Sequence, residues 1–278
     1  MTARVETGPG WEMRLSDCLC PVNGLASLPD RGVDHVITDP PYAPRAMKNA
    51  RSSETMKQRR DGKVYDFGYA ALTDEVRRAA AVQFARIARR WVVVWCDVES
   101  DHLWREDLVG AGLRYVRTGF WIRENGAPQF SGDRPAQGAE ACVICHSNET
   151  KMAWNGGGRP AVWTGPIVNA ADSSRVHSSP KPEWLMRAQV SDFTDPGELI
   201  ADPFSGSATT LAAGRQLGRS VIGWEREPKY FEVAVKRLRA AREQLRIPLA
   251  CEPVGRQATL LDSPPSPRNS PLVVDRET

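Results

Sequence analysis

At 278 residues, 41% hydrophobic and 26% charged, the chain is long enough to bury a sizeable core and is ordinary in composition for a soluble globular protein. No apolar run approaches the roughly 18 to 20 residues of a bilayer span, and no basic segment with an apolar stretch opens the chain, so a cytoplasmic, non-membrane protein is expected. A formal net charge of +3 is too small to identify a polyanionic partner, which leaves the distribution of charge to carry that question.

In chain order, Val33 to Thr38 is a β-branched-rich run stopped by Asp39-Pro40-Pro41, because proline donates no hydrogen bond to a ladder. A basic stretch follows, with Arg45, Lys48, Arg51, Lys57, Arg59, Arg60 and Lys63 set against Glu54, Asp61 and Asp66. Thr73 to Arg90 places Val76, Ala80, Phe84 and Ile87 at helical spacing and gives way to the buried strand Trp91 to Trp95. Ser100 is placed to cap a second helix reaching about Gly112, and Tyr115 to Ile122 reads as another strand. Gln129 to Pro182 reads as loop-rich apart from a strand at Ala141 to Cys145. Regularity returns with a strand at Glu198 to Ala201, a helix from Ser207 to about Leu217, a strand at Ser220 to Trp224 and a helix from Pro228, in which Phe231, Val235, Leu238 and Leu245 share a face. Such alternation predicts an α/β fold, a mostly parallel twisted sheet with helices on both faces. After about Ile247 the chain is proline-rich and aperiodic, so 248–278 is expected to be a disordered tail.

Six cysteines without a secretion signal read as reduced thiols. The Cys142-Val-Ile-Cys145 spacing would suit a metal or redox pair, but it lies in an apolar run with no second pair, so a buried strand is expected and no metal.

Two loops carry the chemistry. Asp202-Pro-Phe204-Ser-Gly206-Ser207-Ala-Thr209-Thr210 joins a strand to a helix, and Glu225 ends the next strand. A small residue allows a tight turn, a helix start favours an anionic group, and a carboxylate about 20 residues on can accept both ribose hydroxyls. One glycine plus hydroxyls suits a carboxylate and amine better than a pyrophosphate, which disfavours an NAD-dependent oxidoreductase. Asp39-Pro40-Pro41-Tyr42 also sits at a strand's carboxyl end, where ligands bind in such folds. A rigid carboxylate and a proline carbonyl can accept two hydrogen bonds from an amino group, and Tyr42 can stack on a flat ring. The strand end is expected to open on a solvated mouth.

Together these loops make the chain resemble the DNA N6-adenine and N4-cytosine methyltransferases, in which Asp-Pro-Pro-Tyr is the catalytic motif and Asp-Pro-Phe-x-Gly-Ser-Gly-Thr-Thr the cofactor loop. Their order here resembles the circularly permuted β subgroup, over about Leu15 to Arg239. The resemblance implies a Rossmann-like fold and S-adenosyl-L-methionine as cofactor. It carries a cofactor role to Asp17 and Cys18, although Ser16 replaces a glycine, and to His177, Lys181 and Pro182, whose segment resembles His-Pro-x-Gln-Lys-Pro. Asp202, Phe204, Gly206, Ser207, Thr209, Thr210 and Glu225 complete that set. Ala208 departs from the family's second glycine, and Trp224 from a smaller apolar residue. The absence of a Pro-Cys dipeptide argues against C5-cytosine chemistry. The domain expected is 1–247, with a catalytic half at about 11–147, a base-recognition region at about 148–176 and a cofactor half at about 177–247. Double-stranded DNA is the partner implied, its phosphates gripped by the basic stretch after Tyr42. The short recognition region implies a short target sequence or the help of a second subunit in a homodimer. Asp rather than Ser at the head of the tetrapeptide favours adenine N6 over cytosine N4. A nucleotide-binding module without catalysis is a remote alternative, against which intact Asp39, Tyr42 and Glu225 stand. A restriction-modification setting is also implied.

Overall fold

Strand-forming runs and their helical partners assemble around one nine-stranded sheet in the computed structural model, which describes residues 4–42, 72–126, 128–129, 132–168 and 181–241. The strands are β1 (Arg4–Gly8), β2 (Trp11–Leu15), β3 (His35–Thr38), β4 (Trp91–Cys96), β5 (Arg114–Arg123), β6 (Ala139–His146), β7 (Val162–Gly165), β8 (Leu199–Asp202) and β9 (Ser220–Glu225). Their order across the sheet is β1-β2-β9-β8-β3-β4-β6-β5-β7. The central run β2-β9-β8-β3-β4 is parallel. The pairings β1·β2, β4·β6 and β5·β6 are antiparallel, and β5·β7 is parallel.

Strand β4 shows why this sheet needs cover on both sides. Its sequence Trp-Val-Val-Val-Trp-Cys is buried throughout. Trp91, Val93 and Trp95 enter one apolar cluster while Val92, Val94 and Cys96 enter the other, as the two-residue period of a strand requires. One face is covered by α1 (Asp74–Ile87) and α2 (Asp101–Gly110), the other by α3 (Glu183–Phe193), α4 (Thr209–Gln216) and α5 (Pro228–Ala240). Each large apolar side chain so removed from water contributes roughly 1.5–3 kcal/mol. The expected helices on both faces are therefore present.

Several local expectations hold and some fail. Thr73 caps α1, its side chain accepting from the Val76 N–H. Ser100 precedes α2 but caps nothing with its side chain; its hydroxyl donates instead to Asp97 Oδ2 at 2.7 Å. Cys142 and Cys145 lie on β6 facing opposite sides of the sheet, one in each apolar cluster, so they cannot share a metal or a disulfide. Burial pushes both thiols up to about 12.

The segment expected to be loop-rich is partly built into the fold. β7 extends the sheet, Trp163 is buried with its Nε1 donating to Asp192 Oδ2 at 3.1 Å, and Trp154 packs edge-on against Phe193 with centroids 4.9 Å apart. The hairpin of β1 and β2 and the helix α3 also go beyond the expected elements. The basic stretch at 45–63, His177, Leu245 and the tail at 248–278 lie outside the described residues.

Candidate active site

The carboxyl ends of β3 and β8 are tied side by side. Thr38, the last residue of β3, donates from Oγ1 to Asp202 Oδ1 at 2.7 Å, and the Phe204 N–H reaches Thr38 Oγ1 at 3.3 Å and Asp202 Oδ1 at 3.2 Å. The turn that follows is held by Ser205, whose hydroxyl donates to the Asp202 carbonyl at 2.7 Å and whose N–H reaches the Trp224 carbonyl at 3.1 Å. Gly206 and Ala208 both take positive φ, 52° and 61°. The glycine does so freely, whereas the alanine bears a cost of roughly 1–2 kcal/mol for the left-handed region. Ala208 thus preserves the turn that a second glycine would make without strain, and α4 starts at the next residue.

Beside this loop, β9 ends in Glu225, whose Oε1 accepts from the Glu227 N–H at 2.7 Å. The Ser16 N–H binds the Glu225 carbonyl at 3.0 Å and so carries Asp17 and Cys18 to the same rim. Asp17 Oδ1 accepts from the Leu19 N–H at 2.8 Å, which fixes the turn after β2. Trp224 is fully buried, donates from Nε1 to the Asn23 carbonyl at 2.9 Å and has the Arg14 guanidinium 5.4 Å over its ring. It is both a core residue and part of the cavity wall.

These ends open on one cavity of about 480 Å³. That size suits a compact organic ligand. Its wall includes Asp39, Pro40, Pro41 and Tyr42 from the turn expected to be catalytic and Asp17, Cys18, Lys181, Asp202, Phe204, Gly206, Ser207, Thr209, Thr210 and Glu225 from the set expected to hold the cofactor. Pro182 stands behind the wall, its carbonyl accepting from the N–H groups of Leu185 and Met186 at the start of α3. Burial pushes the Asp202 carboxyl up to about 7, against the hydrogen bonds of Thr38 and Thr210, and burial likewise pushes Glu225 up to about 7.

A buried charge cluster lies at the Asp39–Tyr42 turn. Lys181 Nζ is 2.7 Å from Asp39 Oδ1 and 3.0 Å from Glu140 Oε2, and the Tyr42 hydroxyl donates to the same Glu140 oxygen at 2.7 Å. Arg123 on β5 stands 3.5 Å from Glu140 Oε1. The ammonium also sits 5.6 Å from the Tyr42 ring centroid and 5.5 Å from that of Trp95. Burial pulls the Lys181 pKa down, but Asp39, Glu140 and Tyr42 outweigh it and hold the ammonium well above its ordinary value. Burial raises Asp39 despite Lys181, and raises Tyr42 strongly. For Glu140 the burial penalty is overcome by Lys181, Tyr42 and Arg123, and its pKa lies below the usual carboxylate value.

The expected solvated mouth therefore needs correction, because Asp39 faces a buried cation rather than water alone. Lys181, carried over by resemblance to the cofactor set, is brought onto the Asp39 carboxylate while still lining the shared cavity. Sequence reasoning missed Glu140, whose one signal is a charge at the head of the apolar run Ala141 to Cys145. It also missed Arg237 of α5, which donates to Thr209 Oγ1 at 2.8 Å behind the cofactor loop.

The chain is similar to known proteins over most of its length. Residues 112–236 match the N6/N4 family described as DNA methylase. The chain is 25% identical over 248 residues, 80% of its length, to the type II methyltransferase M.HinfI of Haemophilus influenzae, and the match covers 67% of that relative. The chain spans between half and two thirds of the curated relatives it matches. The crystal structure of the M1.HpyAVI–SAM complex is similar with a TM-score of 0.62 at 22% identity, covering 82% of this chain and 98% of that one. The cytosine-N4-specific PvuII DNA methyltransferase is similar with a TM-score of 0.64 at 16% identity, covering 83% and 87%. The chain thus has the fold of the methyltransferase structures it resembles, and its segment 112–236 matches the N6/N4 DNA methylase family model.

Proposed function

We propose that the chain methylates the N6 amino group of adenine in double-stranded DNA. The observation that carries this reading is that the Asp39–Tyr42 turn and the Asp202–Thr210 loop open on one cavity, so an amino-group acceptor and a cofactor loop share a wall. Bound S-adenosylmethionine supplies an electrophilic methyl group on its sulfonium. Glu225, at the end of β9, would accept the ribose hydroxyls, and the turn through Gly206 and Ser207 would receive the methionine end.

The target nitrogen points inward in duplex DNA, so the base is extruded at a cost of a few kcal/mol, and stacking on Tyr42 returns roughly 1–3 kcal/mol. Asp39 and the Pro40 carbonyl would accept hydrogen bonds from the amino group and aim its nitrogen lone pair at the methyl group. The N–CH3 bond would form as the S–CH3 bond breaks, the thioether would leave as S-adenosylhomocysteine, and one amino proton would pass through Asp39 to solvent. Lys181 occupies Asp39 Oδ1, which leaves Oδ2 for the substrate. Transfer then needs no covalent intermediate and gains from orientation and electrostatics. The basic residues Arg45 to Lys63 would contact phosphates, and the permuted order of the two loops would assign the chain to the β subgroup.

Adenine is preferred because the tetrapeptide begins with Asp. Single-molecule sequencing of DNA from cells producing the chain is expected to show N6-methyladenine in one sequence context. N4-methylcytosine would transfer the assignment to cytosine, and unmodified DNA in the presence of folded protein would overturn it.

A further inference from the structure

Glu140 stands in β6 behind the catalytic turn, and its contacts reach both ends of that turn. Its Oε2 accepts from the Tyr42 hydroxyl at 2.7 Å and lies 3.0 Å from Lys181 Nζ, which in turn holds Asp39 at 2.7 Å. We propose that Glu140 is the positioning residue of the methyl transfer, one carboxylate that fixes the Tyr42 ring directly and the Asp39 carboxylate through Lys181. The proposal rests on the reading of Asp39–Tyr42 as the catalytic turn.

The geometry favours this role over a bland buried ion pair. A lysine serving only to neutralise Glu140 would need no second carboxylate, and a tyrosine serving only as packing would need no acceptor. Here one oxygen takes both, while Arg123 approaches the other oxygen at 3.5 Å. Both side chains that would meet the base are thus indexed to a strand of the sheet rather than to a loop. A buried carboxylate with three donors is held in one rotamer, and the groups hydrogen-bonded to it inherit that fixity. The groups facing Lys181 are Asp39 at the end of β3, Tyr42 beyond it and Glu140 on β6. The thiols of Cys96 on β4 and Cys142 on β6, both raised by burial, also lie near it.

The test is Glu140→Gln, which keeps the volume and an acceptor for the tyrosine but removes the charge that helps hold Lys181 protonated. Single-turnover methyl transfer to duplex DNA should fall about tenfold to a hundredfold, the loss that misplacement of reacting groups brings. The dissociation constant for S-adenosylmethionine should stay within about twofold, since Glu140 does not line the cavity. The alkaline limb of the pH–rate profile should move to lower pH, because Lys181 would retain only one of its two carboxylates. Tyr42→Phe, which should fold even if Glu140→Gln does not, is expected to slow transfer as well. Combined with Glu140→Gln it should cost less than the product of the two single effects. A wild-type rate and profile in folded Glu140→Gln, or a wild-type rate in Tyr42→Phe, would overturn the proposal. Asp39→Ala run alongside separates the two ideas: an active Asp39→Ala sinks the reading of the turn itself, whereas an inactive one beside a normal Glu140→Gln sinks only the role of Glu140.

Discussion

Asp39 and Glu225 are both carboxylates at strand ends, yet their surroundings give them different work and different tests. Asp39→Ala removes an acceptor that would meet the amino group, so single-turnover incorporation should drop more than about a hundredfold while calorimetric cofactor binding persists. Its removal also leaves Lys181 with Glu140 as its one carboxylate, so a melting curve should register a loss on the order of 1–3 kcal/mol. Near-normal incorporation by the folded variant would remove Asp39 from the chemistry. Glu225→Ala should instead weaken S-adenosylmethionine roughly tenfold to a hundredfold, as loss of a charge-assisted acceptor does, with DNA affinity unchanged. An unaltered cofactor dissociation constant would exclude it. The pH dependence follows from burial pushing Glu225 and Asp202 up to about 7. A carboxyl raised in the folded state binds its proton more tightly there than in the unfolded chain. Its stabilising contribution is therefore complete below the unfolded value and lost as pH rises through about 7. Calorimetry without cofactor should show stability declining between about pH 4 and pH 7, while cofactor affinity rises as Glu225 ionises around pH 7. A flat affinity across that range would separate Glu225 from the ribose.

At the scale of elements, the sheet supports the cofactor loop through Gly223 of β9. A Cβ there would meet Ser205 Oγ at 2.3 Å, Leu211 Cδ1 at 2.4 Å and Met13 Sδ at 3.1 Å, so the loop rests on the bare backbone of the strand. Gly223→Ala should lower stability by roughly 1–3 kcal/mol through overpacking and should weaken cofactor binding by displacing Ser205, as melting and calorimetry together would show. Retention of both would mean that the loop shifts at no cost. Elements that bury one continuous pattern were legible in the sequence, as α1 with its Thr73 cap and the wholly apolar β4 demonstrate. Helix α3 carries the same kind of signal, since Leu185, Met186, Gln189, Val190 and Phe193 share its buried face, but the prolines ahead of it mark a break and hid its start. Strand β7 has only four residues with Val162 and Thr164 exposed, so its existence depends on pairing with β5 and could not be read locally. The two loops of the site were legible because each is rigid or small for a stated chemical reason. Glu140 was not, because its partners Tyr42 and Lys181 come from distant parts of the chain and only the fold joins them.

For the molecule as a whole, affinity for DNA should come chiefly from charge outside the described residues. Replacing Arg59, Arg60 and Lys63 by alanine is expected to weaken binding to all sequences about equally and to flatten its salt dependence, since phosphate contacts release counterions without reading bases. The methylated sequence should be unchanged; a changed one would place this stretch among the base readers. The parts expected to read bases were assigned to 148–176; within the described portion of that segment Trp154 and Trp163 pack on α3, while most of its other residues are exposed.

The pairing of β3 with β8 and of β2 with β9 also has a consequence for biogenesis. Thr38 and Asp202, whose side chains lock the two halves together, are separated by 164 residues. At ribosomal rates of about 5–20 residues per second, one edge of β2 and one of β3 wait roughly ten to forty seconds for β9 and β8, although β1 and β4 cover the other edges sooner. During that interval the waiting edges stand open to other chains, and a topology so rich in distant pairings closes slowly once complete. Nascent chains arrested before Leu199 should therefore be more protease-sensitive in β2 and β3 than the finished protein, with full protection arriving after Glu225 has left the ribosome.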